Sequence, residues 1–302
     1  MDRKWEKGIE VYDLFDGYTL EKANLNEFSI HFSVYEIFDT NIWFRQSFDM
    51  GCSILDESTP CFWIKMNGHI IGGVLIEPNY MNCLFLEPPY SDYELIISKL
   101  KGILLEWSEI NSPIYVGCVK PDKVKYYERL GFKSGESRRC MIRPTESFNV
   151  TWEDDYKIVS PTKDGIEDIS KLCLEAFSRT LDNKESYEET KRSLEYYFNS
   201  SEESSLLRKA STLVYDKKSN ELLGACLILD WENWPNIYDI SVSPKAQGKG
   251  LAKNMIRVAL TALKDDYPVL RLFVTLGNHA ENLYHRMGFL SGVETTEMIL
   301  RI

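Results

Sequence analysis

Nowhere in the 302 residues does an apolar run approach the 18 or so needed to cross a bilayer, so no membrane span is expected. The opening Met1-Asp2-Arg3-Lys4-Trp5-Glu6-Lys7 leads into no apolar stretch, and no secretory leader is expected either. There is no Cys-x-x-Cys. The seven cysteines, Cys52, Cys61, Cys83, Cys118, Cys140, Cys173 and Cys226, are scattered singly, which argues against a disulfide framework and a zinc site. Several lie in apolar runs, where a free thiol behaves as a small buried hydrophobe. Four histidines without a pairing pattern supply no metal motif, so no metal is expected. Basic residues are outnumbered, 35 to 46, for a net charge of −11. Nucleic-acid affinity rests on Lys and Arg displacing counterions, so nucleic acid is an unsuitable partner. No polybasic stretch suits an anionic lipid surface. The acidity is compatible with cationic partners such as amines, and equally with plain solubility. The expectation from these absences is a reduced, cytoplasmic protein.

What the chain does have is material for a core, with 44% apolar and 13% aromatic residues, and length for two domains. It also contains a long repeat. One copy passes through His69-Ile-Ile-Gly-Gly-Val-Leu-Ile, Asn82-Cys-Leu-Phe-Leu-Glu-Pro, an amphipathic stretch to Trp107 and Pro113-Ile-Tyr-Val-Gly-Cys-Val, ending at Tyr127-Glu-Arg-Leu-Gly-Phe132. The other passes through Glu221-Leu-Leu-Gly-Ala-Cys-Leu-Ile-Leu, Asn236-Ile-Tyr-Asp-Ile-Ser-Val-Ser-Pro, a second amphipathic stretch and Pro268-Val-Leu-Arg-Leu-Phe-Val, ending at Tyr284-His-Arg-Met-Gly-Phe289. The two Gly-Phe pairs stand 157 residues apart, which is the period of a duplicated domain and not of a solenoid. Arg143–Asp155 is a polar connector, and the expected boundary is 150/151, giving domains 1–150 and 151–302.

In the second half, alternation predicts strands over Tyr156–Pro161, Thr212–Tyr215, Leu222–Leu229, Ile237–Val242, Val269–Thr275 and Glu294–Ile302. Helices are expected after Asp164, after Ser186 (with Glu189 three residues on, a capping-box pattern), over Gly248–Leu263 and over Ala280–Met287. Gly288 fits the left-handed position after a helix end. Early hairpins and one late strand-helix-strand crossover make this an α/β (α+β) arrangement: a mixed, mostly antiparallel sheet flanked by helices. In the first half, Tyr18–Phe48 reads as helical and the later part repeats the sheet.

The most informative stretch is Val242-Ser-Pro-Lys-Ala-Gln-Gly-Lys-Gly-Leu-Ala252. Glycines at a strand-to-helix turn let the backbone approach a ligand, and a helix N-terminus offers N–H donors and partial positive charge to a phosphate. A tight turn without a ligand would explain Gly-x-Gly equally well. Charge separates the two readings. Ile240 to Lys264 holds five basic residues and no acidic one, where about four acids would be expected from the average. Lys245 and Lys249 at a helix start oppose the macrodipole unless an anion sits there. The corresponding stretch of the first half puts Ser91 opposite Gln247, Asp92 opposite Gly248 and Glu94 opposite Gly250, so the same ligand would meet carboxylates there.

Gln247-x-x-Gly250-x-Ala252 after Val242-Ser-Pro resembles the Q/R-x-x-G-x-G/A signature of the GNAT superfamily of acyl-CoA N-acyltransferases. Asn278-His-Ala-Glu-Asn-Leu-Tyr284-His-Arg-Met-Gly288-Phe289 resembles that family's second signature. The motifs cover roughly 155–302, while 65–135 follows by pattern only, so the layout looks like a tandem GNAT protein with a degenerate N-terminal copy. The resemblance implies acetyl-CoA as co-substrate, without a metal, in an opening between two strands of the second domain. Backbone groups of Gln247, Gly248, Lys249, Gly250, Leu251 and Ala252 would hold the pyrophosphate, and Val242 would pair with the pantetheine. Asn278 is a further candidate contact, although it stands one residue nearer to Tyr284 than in the commonest form and is as well suited to capping the following helix. The implied reaction is direct attack of a primary amine on the thioester, with Tyr284 donating to the leaving thiolate. Asp239 is the leading candidate base, with Asp230 and Glu232 as rivals. Trp231 and Trp234, or the Thr180–Ser186 loop, are candidate walls for the acceptor. The acceptor would be a small-molecule or protein amine, and the protein a monomer or homodimer. The alternative is a CoA-binding regulatory module without turnover.

Overall fold

The computed structural model describes residues 10–37, 48–53, 59–109, 111–178, 180–182, 186–200 and 205–301, with Trp5, Gly8 and Leu55. The other residues of Met1–Lys7, and 38–47 of the stretch expected to be helical, lie outside the described residues. The chain divides into two units: Met1–Arg138 with Val293–Ile302, and Arg139–Gly292.

In the first unit, β1 (Val11–Asp13) and β2 (Tyr18–Lys22) precede α1 (Leu25–Phe32), a π-helical turn at Ser33–Ile37 and α2 (Phe48–Ser53). A meander follows: β3 (Cys61–Met66), β4 (His69–Glu77) and β5 (Tyr80–Leu86). Then come α3 (Tyr93–Trp107), β6 (Ile114–Val119), α4 (Pro121–Arg129) and β7 (Lys133–Pro144). Tyr18–Lys22 was expected to be helical but is a strand, paired antiparallel from Tyr18↔Met66 to Lys22↔Phe62. Its Leu20 is fully buried between half-buried neighbours, a period-2 pattern too short to outweigh the helical pattern that follows it.

In the second unit, β8 (Tyr156–Val159) leads to α5 (Ile166–Phe177), α6 (Tyr187–Ser200) and α7 (Leu206–Ala210). A second meander is formed by β9 (Thr212–Asp216), β10 (Leu222–Trp231) and β11 (Trp234–Val242). It is followed by α8 (Leu251–Leu263), β12 (Val269–Thr275), α9 (Ala280–Arg286) and β13 (Leu290–Leu300). The Ser186 hydroxyl accepts from the Glu189 amide at 3.2 Å, as its capping pattern predicts. Asp164 falls in a short 3-10 turn, and Gly165 is the residue at the start of α5.

Strand order within the first unit is β1-β2-β3-β4-β5-β6-β13, and within the second β7-β12-β11-β10-β9-β8. The expected boundary at 150/151 is therefore corrected: the chain passes between units at Arg138/Arg139 and again at Gly292/Val293. β13 pairs antiparallel with β6 through Thr296↔Val119 and Leu300↔Ile114, and Met298 is buried in the first unit's core. Residues 139–144 belong to the second unit, where Met141 joins the core and Arg143 donates to the Met287 carbonyl at the end of α9. The last strands of the two copies have the same character, so the sequence pattern does not reveal which unit each completes.

The β5–β6 and β11–β12 pairs are parallel, which demands a crossover, supplied by α3 and α8. Each crossover helix packs a broad apolar face on its sheet. In α8 this face is Leu251, Met255, Ile256, Ala259, Leu260 and Leu263, with Val258 and Ala262 half-buried at its edge. The other sheet face of the second unit is covered by α5 and α6 through Ile169, Leu172, Leu194, Tyr197 and Phe198.

Candidate active site

The parallel pair β11–β12 stays in register only at Asn236↔Arg271 and Ile237↔Leu272. β11 then continues to Val242 and β12 to Thr275 without pairing to each other, so an opening lies between their C-terminal ends. A bulge in β11 opposite Leu227/Ile228 helps turn the strand away from its neighbour. Val242 is the last residue of β11, half-buried and at the mouth of this opening.

Past Val242, Ser243 is fully buried, Pro244–Ala246 make a 3-10 turn and Gln247 is extended. Gly248 and Gly250 then take φ of +76° and +80°. That left-handed region is costly for residues with a Cβ. A Cβ built on either glycine would meet nothing within 4 Å, so the space in front of the turn is open. Gly250 is the N-cap of α8 and provides no side-chain hydrogen bond, and the first turn holds no acid. The helix thus presents N–H donors and the positive end of its dipole to that open space, a fit for phosphate. Leu251 sends its side chain into the core, Ala252 is small and half-buried, and Lys249 stands exposed at the rim. Gln247 turns back, its Nε2 donating to the Val242 carbonyl at 3.3 Å.

Three of the five basic residues around the turn are engaged within the protein. Lys245 pairs with Glu221, Lys264 with Asp265 at 2.5 Å, and Arg257 stands over the Phe148 ring at 5.2 Å. Lys249 and Lys253 take no ion-pair partner among the described residues.

Tyr284 lies midway along α9, 6% exposed, edge-on to Phe289 with ring centroids 6.0 Å apart. Gly288, at φ +86°, ends the helix as predicted, and the Phe289 amide returns to the Tyr284 carbonyl at 3.0 Å. The Tyr284 hydroxyl makes no hydrogen bond among the described residues. Burial, then the nearby Cys226, Asp182 and Asp239, push its pKa well above the ordinary phenol value, so the proton is held.

Asp239 is 8% exposed on β11 and faces α5: its Oδ1 accepts from the Ser241 hydroxyl at 2.5 Å and the Cys173 thiol at 3.6 Å. Asn278 uses both ends of its amide. Oδ1 accepts from the Ala280 amide at 2.8 Å, and Nδ2 donates to Asp182. The structure thus gives it the capping role. Sequence reasoning missed Asp182, whose Oδ1 also accepts from Thr275 Oγ1 at 2.5 Å. No motif contains it, and the loop it sits on, Thr180–Ser186, has 183–185 outside the described residues.

Other candidates fall away. Asp230 Oδ1 accepts from the Asn233 amide at 3.1 Å, and Glu232 lies 3.6 Å from buried Arg271. Both belong to the β10–β11 turn, as do Trp231 and Trp234. At about 3.3 Å per residue, the eight steps of β11 put that turn roughly 26 Å from Val242. They cannot act on a group held there.

Residues 169–289 match the acetyltransferase (GNAT) family. They form a GNAT-family domain. The whole chain is similar in fold to a GCN5-related N-acetyltransferase from Sphaerobacter thermophilus, with 12% identity, TM-score 0.68, and coverage of 96% of this chain and 97% of that one. It is also similar to a tandem GNAT protein from the clavulanic acid biosynthesis pathway, at 8% identity and TM-score 0.60, covering 94% and 98%. A third likeness is to the GCN5-related glucosamine N-acetyltransferase region of a fungal multi-domain protein, at 9% identity and TM-score 0.61, covering 94% of this chain and 38% of that one. None of the curated proteins matches the sequence. The chain has the fold of two tandem GNAT-like units, each a mixed and mostly antiparallel sheet flanked by helices. The family matched over residues 169–289 is one of acetyltransferases. No described helix is long and apolar enough to cross a membrane.

Proposed function

We propose that the protein is an N-acetyltransferase that moves the acetyl group of acetyl-CoA to a primary amine by direct attack, at a site in the second unit. The observation that carries this is the uncapped N-terminus of α8, opened by two left-handed glycines beside the diverging ends of β11 and β12. Pyrophosphate would lie against the backbone of Gln247 to Ala252. Pantetheine would run along the free edge of β11 at Val242, leaving the thioester between the strands.

Tyr284 then donates a hydrogen bond to the departing sulfur. Its raised pKa keeps the hydroxyl protonated at any working pH, and with no hydrogen-bond partner among the described residues it has none of those bonds to break before it donates. The incoming amine loses a proton, and Asp239, the buried carboxylate on β11, is the candidate acceptor for it. The amine is a small molecule or a protein amine, the protein a monomer or homodimer, and nucleic acid and membrane lie outside its partners.

The test is thiol release from acetyl-CoA over a panel of amines, with a thermal-shift titration alongside, since a ligand of the native state raises Tm. Amine-dependent thiol release is expected. A Tm shift without release from any amine removes the catalytic reading and leaves a CoA-binding module. No shift at millimolar acetyl-CoA removes both.

A further inference from the structure

Asp182 lies on the segment after α5, far in sequence from both motifs, yet it is tied to the second of them. Its two carboxylate oxygens take two different partners: Thr275 Oγ1 at 2.5 Å and Asn278 Nδ2. Thr275 is the final residue of β12, and Asn278 in turn accepts from the Ala280 amide at 2.8 Å, the first residue of α9. One carboxylate therefore holds both ends of the turn between strand and helix. Packing agrees: Gly277, in the middle of that turn at φ +85°, would place a Cβ only 3.4 Å from Leu181 Cδ1, beside Asp182. Tyr284 stands four residues into α9, slightly more than one helical turn from the capped amide.

We infer that Asp182 is a positioning residue for Tyr284: through Asn278 it fixes the N-terminus of α9, and so sets where the phenol meets the leaving sulfur. This inference rests on the acetyltransferase reading for its kinetic consequence, but not for its structural one. A carboxylate accepting two hydrogen bonds, one from a hydroxyl and one from an amide, resists displacement more than either contact alone. α9 spans only Ala280–Arg286, too short to hold its own ends without outside contacts. At the other end of α9, the Met287 carbonyl is held by Arg143. The helix is thus pinned at both termini, and Tyr284 lies between the pins.

The experiment is a double-mutant cycle between Asp182→Ala and Tyr284→Phe, read by kcat and by KM for acetyl-CoA, with amide hydrogen exchange at Ala280 as a readout independent of activity. In the wild-type background, D182A is expected to lower kcat about tenfold or more while KM for acetyl-CoA stays within about twofold, because the α8 cradle is untouched. In the Y284F background the same change should cost less than about twofold, since the group being positioned has lost its hydroxyl. Asn278→Ala breaks the chain one link later and must give the same coupling. D182N, which keeps an acceptor oxygen, should restore part of the loss and is the variant to use if D182A does not fold. Exchange at the Ala280 amide should quicken in D182A and N278A alike. Equal losses in both backgrounds, or unchanged Ala280 protection in D182A, would overturn the inference. If the wild-type protein transfers no acetyl group to any amine, the functional reading fails instead, and the exchange measurement still decides whether Asp182 holds α9.

Discussion

After its diverging strand, each unit turns into a crossover helix, and the two units treat the N-terminus of that helix in opposite ways. In the second unit, Gly250 leaves the end of α8 open and no acid stands in its first turn. In the first unit, Asp92 fills the equivalent place with its own carboxylate, accepting from the Leu95 amide at 3.0 Å, and Glu94 follows, paired with Arg129 at 2.8 Å. Several features around that point are alike. β5 and β6 also pair at two positions only, Tyr80↔Tyr115 and Met81↔Val116, before separating. A bulge lies in the β4–β5 ladder as in β10–β11. Tyr127 is 3% exposed and edge-on to Phe132 at 5.5 Å, with Gly131 at φ +88° closing its helix as Gly288 closes α9. The helix end is capped from inside the protein in one unit and left open in the other, where the proposed cofactor would bind. A shared fold does not by itself carry a ligand site with it.

The comparison can be broken most decisively at the two tyrosines. Tyr284→Phe should lower kcat for acetyl transfer by about 10²- to 10³-fold, in the range of a lost proton donor, without altering acetyl-CoA affinity. Tyr127→Phe should leave turnover within about twofold, as measured by thiol release. A large loss in Y127F would place chemistry in the first unit as well.

The next largest effect belongs to the cradle. Gly250→Asp puts the first unit's capping carboxylate at the equivalent place in the second, and should weaken acetyl-CoA about 100-fold or more in a calorimetric titration. Left-handed backbone alone costs a residue with a Cβ roughly 1–2 kcal/mol, so Gly250→Asn, which tolerates that conformation, isolates the charge from the strain. The asparagine variant should retain most of the affinity.

Removing the internal cap tests the other side. Asp92→Ala should destabilise the first unit by about 1 kcal/mol, the usual value of an N-cap, seen as an earlier urea midpoint. Acetyl-CoA affinity should not change. A gain of a second acetyl-CoA site in D92A would mean that the carboxylate alone separates the two units. The smallest effect is expected at the rim: Lys249→Ala should weaken acetyl-CoA about two- to fivefold at low salt, with the difference fading as salt screens the exposed ammonium.

Much of the second unit could be read from sequence, because its signals are local. Ser186 and Glu189 announce their own cap, Gly288 its own helix end, and Gly248 and Gly250 their own turn. The Tyr284 motif was legible for the same reason, since a spacing on one short helix is a distance along one chain. Asp182 was not, because its partners Thr275 and Asn278 lie more than 90 residues away and only the folded loop brings them together. Glu232 looked like a candidate base until β11 put it at the wrong end of the strand. The five basic residues were an honest signal of composition, but Glu221, outside the window, claims Lys245. The domain boundary failed on a different ground. β7 and β13 are the same kind of strand, and no local pattern distinguishes which unit each will join.

That last arrangement has a consequence for biosynthesis. The first unit contains most of the residues made first, yet Met298 and Leu300 sit in its core and β13 covers the edge of β6. Until those residues have left the ribosome, the nascent first unit exposes an unpaired β6 edge and an incomplete core. The second unit has all of its residues, Arg139–Gly292, available ten residues earlier. Expressing 1–150 alone would therefore yield a unit missing the strand that completes it.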